Sequence, residues 1–404
     1  MKLFNRHILI SMILVFITLV FAPFILDIKF FAPIKRHFSD FELIDVGYPD
    51  FGEFETADSN IFLVNTIYKD TVLNNRMLAD IIEWIQEYKP KVIAIEKPLE
   101  HSNNNEDDFY LDIVLSKYNN IVIGTEYIDF SDTNEAYIKK KVSDNIFSNV
   151  KITGYNNVLV DKNKKYYKVR EFFPYYKFNN NLDTSLIIKI LEIFDKTKLQ
   201  KFLNRNNEKE IISFRGTYKN FGRCSFDDII NNQVNPEVFR DKIILFGKFQ
   251  EISSALPCLF NDIYFTPLNK IQSSKTFPDM YSIEIQANII SMIVNEKYIY
   301  IIPAIINILI AILFTYINIL IFYLITQKNI KLYEISNLLI FLFESFGIFY
   351  ITIYLFHSHN IKIDLTLTLF AIILTVFVYE GYDTTLKPII DKIVNKFKTG
   401  RVVK

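Results

Sequence analysis

The chain has 404 residues, which sets a soft expectation of two to three domains. Its 45 Lys and Arg balance 45 Asp and Glu, so total charge gives no case for nucleic-acid binding. Only 10 glycines leave little room for glycine-rich phosphate loops, while half of all residues are hydrophobic.

Residues 8–26 (ILISMILVFITLVFAPFIL) carry no charge and are long enough for a first transmembrane helix. The run is long for a signal peptide, and Ala22-Pro23-Phe24 makes a poor cleavage site. An uncleaved anchor is therefore expected, with residues 1–7 as a cytoplasmic N-terminus. Residues 27–298 are polar enough, and rich enough in Phe and Tyr, to form a full globular domain with its own core.

Within that stretch, strands and helices alternate. Residues 60–66 (NIFLVNT) predict a buried strand, 75–88 an amphipathic helix, 91–96 (KVIAIE) a second strand, 107–118 a second helix and 120–125 (NIVIGT) a third strand. Such a βαβαβ run predicts an α/β domain with a mixed, largely parallel sheet and covering helices. The strands are apolar on both faces, as a covered parallel sheet requires. Residues 154–160 and 165–174 predict a hairpin around the turn 161–164. A helix is expected over 184–194, strands over 211–216 and 242–247, and a helix over 225–231 between them. Residues 101–108 and 178–183 predict loops, and 248–281 an irregular excursion. A helix over 282–298 runs nearly continuously into the second span.

Residues 299–325, 335–356 and 363–379 predict three further spans, making four α-helical transmembrane spans in all. Lys2 and Arg6, the 326–334 loop and the 381–404 tail carry the basic excess. With four crossings these flanks fall on one side, so both termini are expected in the cytoplasm and residues 27–298 outside. Glu344 lies near the middle of the third span. A carboxyl there is costly and either hydrogen-bonds a neighbouring helix through Asn307, Asn318 or Thr375, or serves transport or signalling. In the tail, 386–398 reads as a basic amphipathic helix suited to anionic membrane lipid.

Candidate site residues are few. Ligands of open α/β sheets sit outside the carboxyl ends of strands, where Glu96 and Arg215 are expected. Arg76 joins them as a charged residue at a helix start, and an Arg there either binds an anionic ligand or pairs with a carboxylate of the domain. Asp107 and Asp108 suit a helix N-terminus. Cys224 and Cys258 form a disulfide or remain buried thiols, and an oxidising compartment permits the former. His101 near Glu106 and Asp107 lacks metal-site spacing, and no metal or cofactor is expected. H-E-x-x-H, G-x-S-x-G and Walker patterns are absent, so no catalytic residue is assigned and the chain is not expected to be an enzyme.

Several segments, in order, carry a family resemblance: NIFLVNT, NNRMLADIIEWI, YKPKVIAIE, EDDFYLDIVLSKYNNIVIGT, NNVLVDKNKKYYKVREFFP, ISFRG, SFDDIIN, FRDKIILFG, FTPLN and YSIEIQANIISMIVNEKYI. Together they resemble the CHASE2 family, an extracellular sensory domain of bacterial membrane receptors. One span, an outer domain and three spans is that family's usual arrangement. The sequence departs from the family at Glu96, where Asp is usual, and at Gln286, where His is frequent. The resemblance implies a sensor in a bacterial cytoplasmic membrane with an extracytoplasmic ligand. The usual cyclase, kinase or caspase-like output region does not follow the last span, which implies a separate cytoplasmic output protein. A homodimer is a further expected partner. The rival functions are a structural or scaffold subunit of an envelope complex and a transport subunit using Glu344.

Overall fold

The computed structural model describes residues 5–26, 42–48, 56–68, 71–102, 104–131, 136–158, 168–251, 262–269, 277–328 and 330–399. They divide into a middle unit, Tyr48–Ile299, and a helical unit, Met1–Gly47 with Tyr300–Lys404. Helix α1 (Arg6–Leu26) belongs to the helical unit.

The middle unit begins with β1 (Asp58–Asn65), α2 (Asn75–Gln86), β2 (Val92–Ile95), α3 (Asn105–Lys117) and β3 (Ile121–Ser131), the expected βαβαβ run. Then come β4 (Ala136–Lys141), β5 (Thr153–Tyr155), α4 (Leu186–Phe194), α5 (Lys196–Leu203), β6 (Phe221–Ser225), α6 (Phe226–Ile230), β7 (Ile243–Gly247) and α7 (Ser282–Val294). The strands form one sheet in the order β6-β1-β7-β2-β3-β4, with β5 also paired to β3. Every pairing in it is parallel except β3 with β4.

Period-two alternation divides the core. Phe62 and Val64, Ile93 and Ile95, and Ile244 and Phe246 share one cluster with Ile81, Ile82 and Ile85 of α2, Leu111, Val114 and Leu115 of α3 and Ile229 of α6. Ile61, Leu63, Val92, Ala94, Ile243 and Leu245 are equally buried on the opposite face, where α4 packs on β2 and α7 packs on β1 and β7. Helix α2 starts where it does because the Asn74 side chain accepts from Met77 N–H at 2.8 Å, satisfying one of the free amides of the first turn.

Some segments pair differently from expectation. The predicted hairpin 154–160/165–174 is not formed by the residues described at its two ends. Thr153–Tyr155 pairs with β3, Glu171–Phe172 pairs with Glu210–Ile211, and the turn 161–164 lies outside the described residues. A hairpin forms instead across the predicted loop 178–183, where Tyr175–Phe178 pairs with Asn181–Thr184. Asn179 and Asn180 supply its two positive φ angles, 46° and 66°, which a primed turn needs. The predicted strand 211–216 ends after Ile211. The N–H groups of Arg215 and Gly216 go to the Asn288 side chain at 2.6 and 3.1 Å, so they are not available to a ladder. The sheet edge falls to β6, a polar, glycine-containing segment that reads poorly as a strand.

The helical unit contains α1, α8 (Ala304–Lys328), α9 (Ile330–His359), α10 (Thr366–Gly381) and α11 (Lys387–Thr399). Among the described residues three helices are long and apolar enough to cross a membrane, Ala304–Gln327, Ser336–His359 and Thr366–Asn395, where four were expected; Arg6–Phe21 is a shorter apolar helix. Helix α8 starts five residues later than the span predicted from residue 299. Tyr300–Ile301 pairs with Ile361–Lys362, and Pro303 accepts the first helical bond from Ile306. Helix α10 runs into α11 through a π-helical turn, Tyr382–Leu386. Ile8 and Val15 of α1 pack with Ile319 and Phe322 of α8 and Tyr379 of α10. Glu344 accepts from Asn318 Nδ2 at 2.7 Å, one of the three partners expected for it.

Candidate functional site

The central strands β1, β7 and β2 end side by side, and the residues that follow or end them, Thr66, Gly247 and Glu96, line one cleft of about 530 Å³. The start of α2, the loop 97–102, Glu126 of β3, Asp262 and Ser282 of α7 complete its wall. Carboxyl ends of parallel strands are where open α/β sheets bind ligands, because loops and helix N-termini converge there. The apolar part of the wall comes from Leu73, Leu78, Leu99 and Phe246.

Glu96 is its most deeply buried charged residue, 3 % exposed. Its Oε1 accepts from the Ser282 hydroxyl and, at 3.4 Å, from Gln286 Nε2. Burial pushes its carboxyl up to about 7, against the opposing pull of Lys97 and of the Ser282 hydroxyl. Lys97 donates to Glu126 at 3.0 Å and Asp262 at 2.8 Å. Burial alone would lower the Lys97 ammonium, but Glu96, Asp262 and Glu126 outweigh it and hold it above its ordinary value. Gly247 has to be glycine here. A Cβ would stand 2.7 Å from Glu96 Oε2 and 2.7 Å from Ile283 Cγ1.

Helix α7 is buried along its whole length, yet carries Ser282, Glu284, Gln286, Asn288 and Ser291. A buried helix pays for such residues only if each finds partners. Glu284 accepts from Tyr218 N–H at 2.7 Å and from Tyr281 N–H at 3.2 Å, and burial pushes its carboxyl up to about 7. Asn288 donates to the carbonyls of Gly216 and Glu284, each at 2.8 Å. Ser291 donates to Asp58 Oδ2 at 2.6 Å. The Gln286 Oε1 and Asn156 Oδ1 atoms are buried without a hydrogen-bond partner, and both residues line a small cavity of about 20 Å³. That is room for one water bridging the pair.

Of the three ligand candidates from sequence, only Glu96 lines the cleft. Arg215 lies outside that lining and is held within the middle unit. Its guanidinium donates to Ser291 Oγ at 2.9 Å and the Thr56 carbonyl at 2.7 Å, and lies 3.5 Å from Asp58. Ser282 and Ser291, the α7 contacts of Glu96 and Arg215, are nine residues apart, roughly 13 Å along a helix. The two residues therefore do not share the expected rim. Arg76 stacks over the Tyr110 ring at 3.8 Å and sits 3.5 Å from Asp80, tying α2 to α3. Asp108 is more than a helix-start residue. Asn104 provides the cap, and the buried Asp108 carboxylate accepts from Asn75, from Ser102 N–H at 2.9 Å and from His101 at 2.6 Å. Cys224 is a free, buried thiol, and Cys258 lies outside the described residues. Burial pushes the Cys224 thiol up to about 12. No group of three or more His, Cys, Asp or Glu able to hold a metal occurs among the described residues.

Sequence reading missed Lys97, Asp262 and Ser282. Lys97 follows Glu96 directly after four buried strand residues, a charged pair at a strand end that could have been flagged. Asp262 is brought in from 165 residues away, and nothing local announces it.

The CHASE2 domain family matches residues 58–321, more than half of the chain. No curated protein and no solved structure matches it.

Proposed function

The chain belongs to the CHASE2 family, an extracytoplasmic sensory domain family, and from that premise we propose that it is a membrane-bound sensor. The middle unit takes a signal molecule in the cleft at the ends of β1, β2 and β7. The helical unit passes the occupied state to a separate cytoplasmic output protein. The observation that carries this reading is the 530 Å³ cleft at the carboxyl edge of the sheet, with the buried Glu96 in its wall.

In this reading the chain is a receptor and carries no catalysis of its own. Helices α1, α8, α9 and α10 make four crossings of a bacterial cytoplasmic membrane, with both termini inside and residues 27–298 outside. Helix α11, whose Ile389 and Ile393 are exposed on one face, lies against anionic lipid or the output protein. Protease added to spheroplasts should cleave within 27–298 and leave tags at both termini intact. Cleavage of either tag would overturn the topology. A chain ending at residue 381 should no longer cross-link to the output protein.

One observation favours a protein partner on the outer side, whether a second copy or an envelope scaffold. Phe109 and Ile113 stand one turn apart on α3, 62 % and 38 % exposed. The Glu344–Asn318 bond supports a tie between α9 and α8 rather than a transport role. Under that reading Glu344→Gln retains function, since an amide can keep the bond.

A further inference from the structure

The charges lining the cleft can be matched one against another. Lys97 is held by Glu126 and Asp262. Glu100 pairs with Lys141, and His101 with Asp108. Asn74 is spent capping α2, and Asn75 donates to the Glu100 carbonyl and Asp108. Among the described residues of the wall, two groups stand out as open to a ligand: the free oxygen of the most deeply buried carboxyl, and the one cation without a hydrogen bond or ion pair. One is Glu96 Oε2, since both bonds to this carboxyl go to Oε1. The other is Lys248 Nζ, which makes no hydrogen bond or ion pair among the described residues and lies 5.7 Å from the centre of the Tyr281 ring. Lys248 follows Gly247, the residue packed against Glu96 Oε2, so the two unmet groups are neighbours in one cleft.

A buried acceptor and a cation left open side by side specify opposite charges on the ligand. We propose that the cleft binds a small zwitterion with an apolar body, the chemical class of an aliphatic α-amino acid. Its ammonium donates to Glu96, and its carboxylate meets Lys248 near the N-terminal turn of α2. Its hydrocarbon part lies on Leu73, Leu78, Leu99 and Phe246. A cation alone would leave Lys248 unmet, and an anion alone would set a negative charge against a buried carboxyl. The volume accommodates such a molecule with space to spare.

This inference rests on the cleft being the sensory site, and the test separates the two claims. The probes are L-leucine, 3-methylbutylamine, which lacks its carboxylate, and 4-methylpentanoate, which lacks its ammonium. Binding is measured by calorimetry on the full chain in nanodiscs. L-Leucine should bind at least about tenfold more tightly than either fragment. Glu96→Gln and Lys248→Met should each remove that advantage and leave the Trp84 unfolding midpoint at pH 5 unchanged, since Gln is isosteric and Lys248 bears no ion pair among the described residues. Binding should strengthen from pH 6 to pH 8 as Glu96 ionises beside Lys97, Glu126, Asp262 and Lys248, and Glu96→Gln should flatten that dependence. Equal affinity for leucine and either fragment would overturn the zwitterion class, as would no binding of any probe. The sensory site is judged separately by Leu99→Trp, which fills the cleft. If Leu99→Trp leaves signalling unchanged, the site itself is wrong; if it blocks signalling while leucine fails to bind, only the ligand class is.

Discussion

At the scale of single residues, three carboxyls among the described residues of the middle unit are held protonated to unusually high pH, and the cause is burial. Glu96 and Glu284 are raised from 4.5 to about 7, and Asp279 from 3.8 to about 6. The folded chain therefore holds these protons more tightly than the unfolded chain. Below about pH 4.5 both states are protonated and the stability is fully present. As pH rises from 4.5 to 7 the unfolded chain ionises Glu96 and the folded chain does not, so stability falls. Above 7 the loss is complete, on the order of 3 kcal/mol for Glu96 alone. Trp84, the single tryptophan, packs on Phe239 in the middle unit and reports its unfolding by fluorescence. The unfolding midpoint should be higher at pH 5 than at pH 8, and Glu96→Gln should flatten the curve between them. An unaltered curve would mean that Glu96 is ionised in the fold at all these pH values. Gly247→Ala tests the same neighbourhood sterically. Its methyl must displace Glu96 Oε2 or Ile283, and a loss of about 1–3 kcal/mol is expected by the same fluorescence. A neutral outcome would show that the two sides of Gly247 can give way.

At the scale of elements, α7 does more than cover the sheet. Its side chains take over hydrogen bonds that a strand partner would otherwise make. Asn288 is fully buried and accepts from Arg215 and Gly216 N–H while donating to the Gly216 carbonyl. Asn288→Ala leaves three backbone groups unmet, and should cost about 2–4 kcal/mol in denaturant unfolding. A loss under about 1 kcal/mol would mean water replaces the amide. The same substitution explains which elements the sequence disclosed. The buried strands of the βαβαβ run were legible because their apolar residues are contiguous; of its helices only α2 has a clear apolar period, since α3 buries Asp108 and Asp112 and exposes Phe109 and Ile113. The strand expected at 211–216 was not one, since its amides are claimed by a side chain 72 residues away. The Asn179-Asn180 turn carried a readable local signal, whereas nothing local marks the pairing of Thr153–Tyr155 with β3. Glu96 could be placed because it ends a buried strand. Its partner Ser282, and Asp262 that pairs with the neighbouring Lys97, come from distant segments and had no signal of their own.

At the scale of the whole molecule, the proposed sensor function makes residues 295–303, which join the middle unit to the first apolar helix after it, the place to test coupling. A continuous helix from 282 into the second span would act as a rigid lever, but α7 ends at Val294 and Glu296 adopts a positive φ of 55°. The chain after that turn is nevertheless gripped. Asn295 donates to Asp58 at 2.8 Å, Glu296 binds Lys198 and, at 2.9 Å, Lys201, and the Tyr298 ring stacks on Phe202 with the Arg205 guanidinium 4.3 Å from its centre. Under the proposed sensor function, coupling would run along the backbone through 295–298 without a continuous helix. Two glycines inserted between Ile299 and Tyr300 keep every one of these anchors and lengthen only the connection, by up to about 7 Å. The Trp84 unfolding midpoint should be unchanged, because the middle unit loses no contact. Signal-dependent cross-linking of the 381–404 tail to the output protein should fall to the level seen without signal. Wild-type cross-linking in the inserted chain would show that coupling does not run through this connection. A ligand shifts a two-state receptor only by its differential affinity for the two states, and a slack connection lets the helices lose sight of that difference.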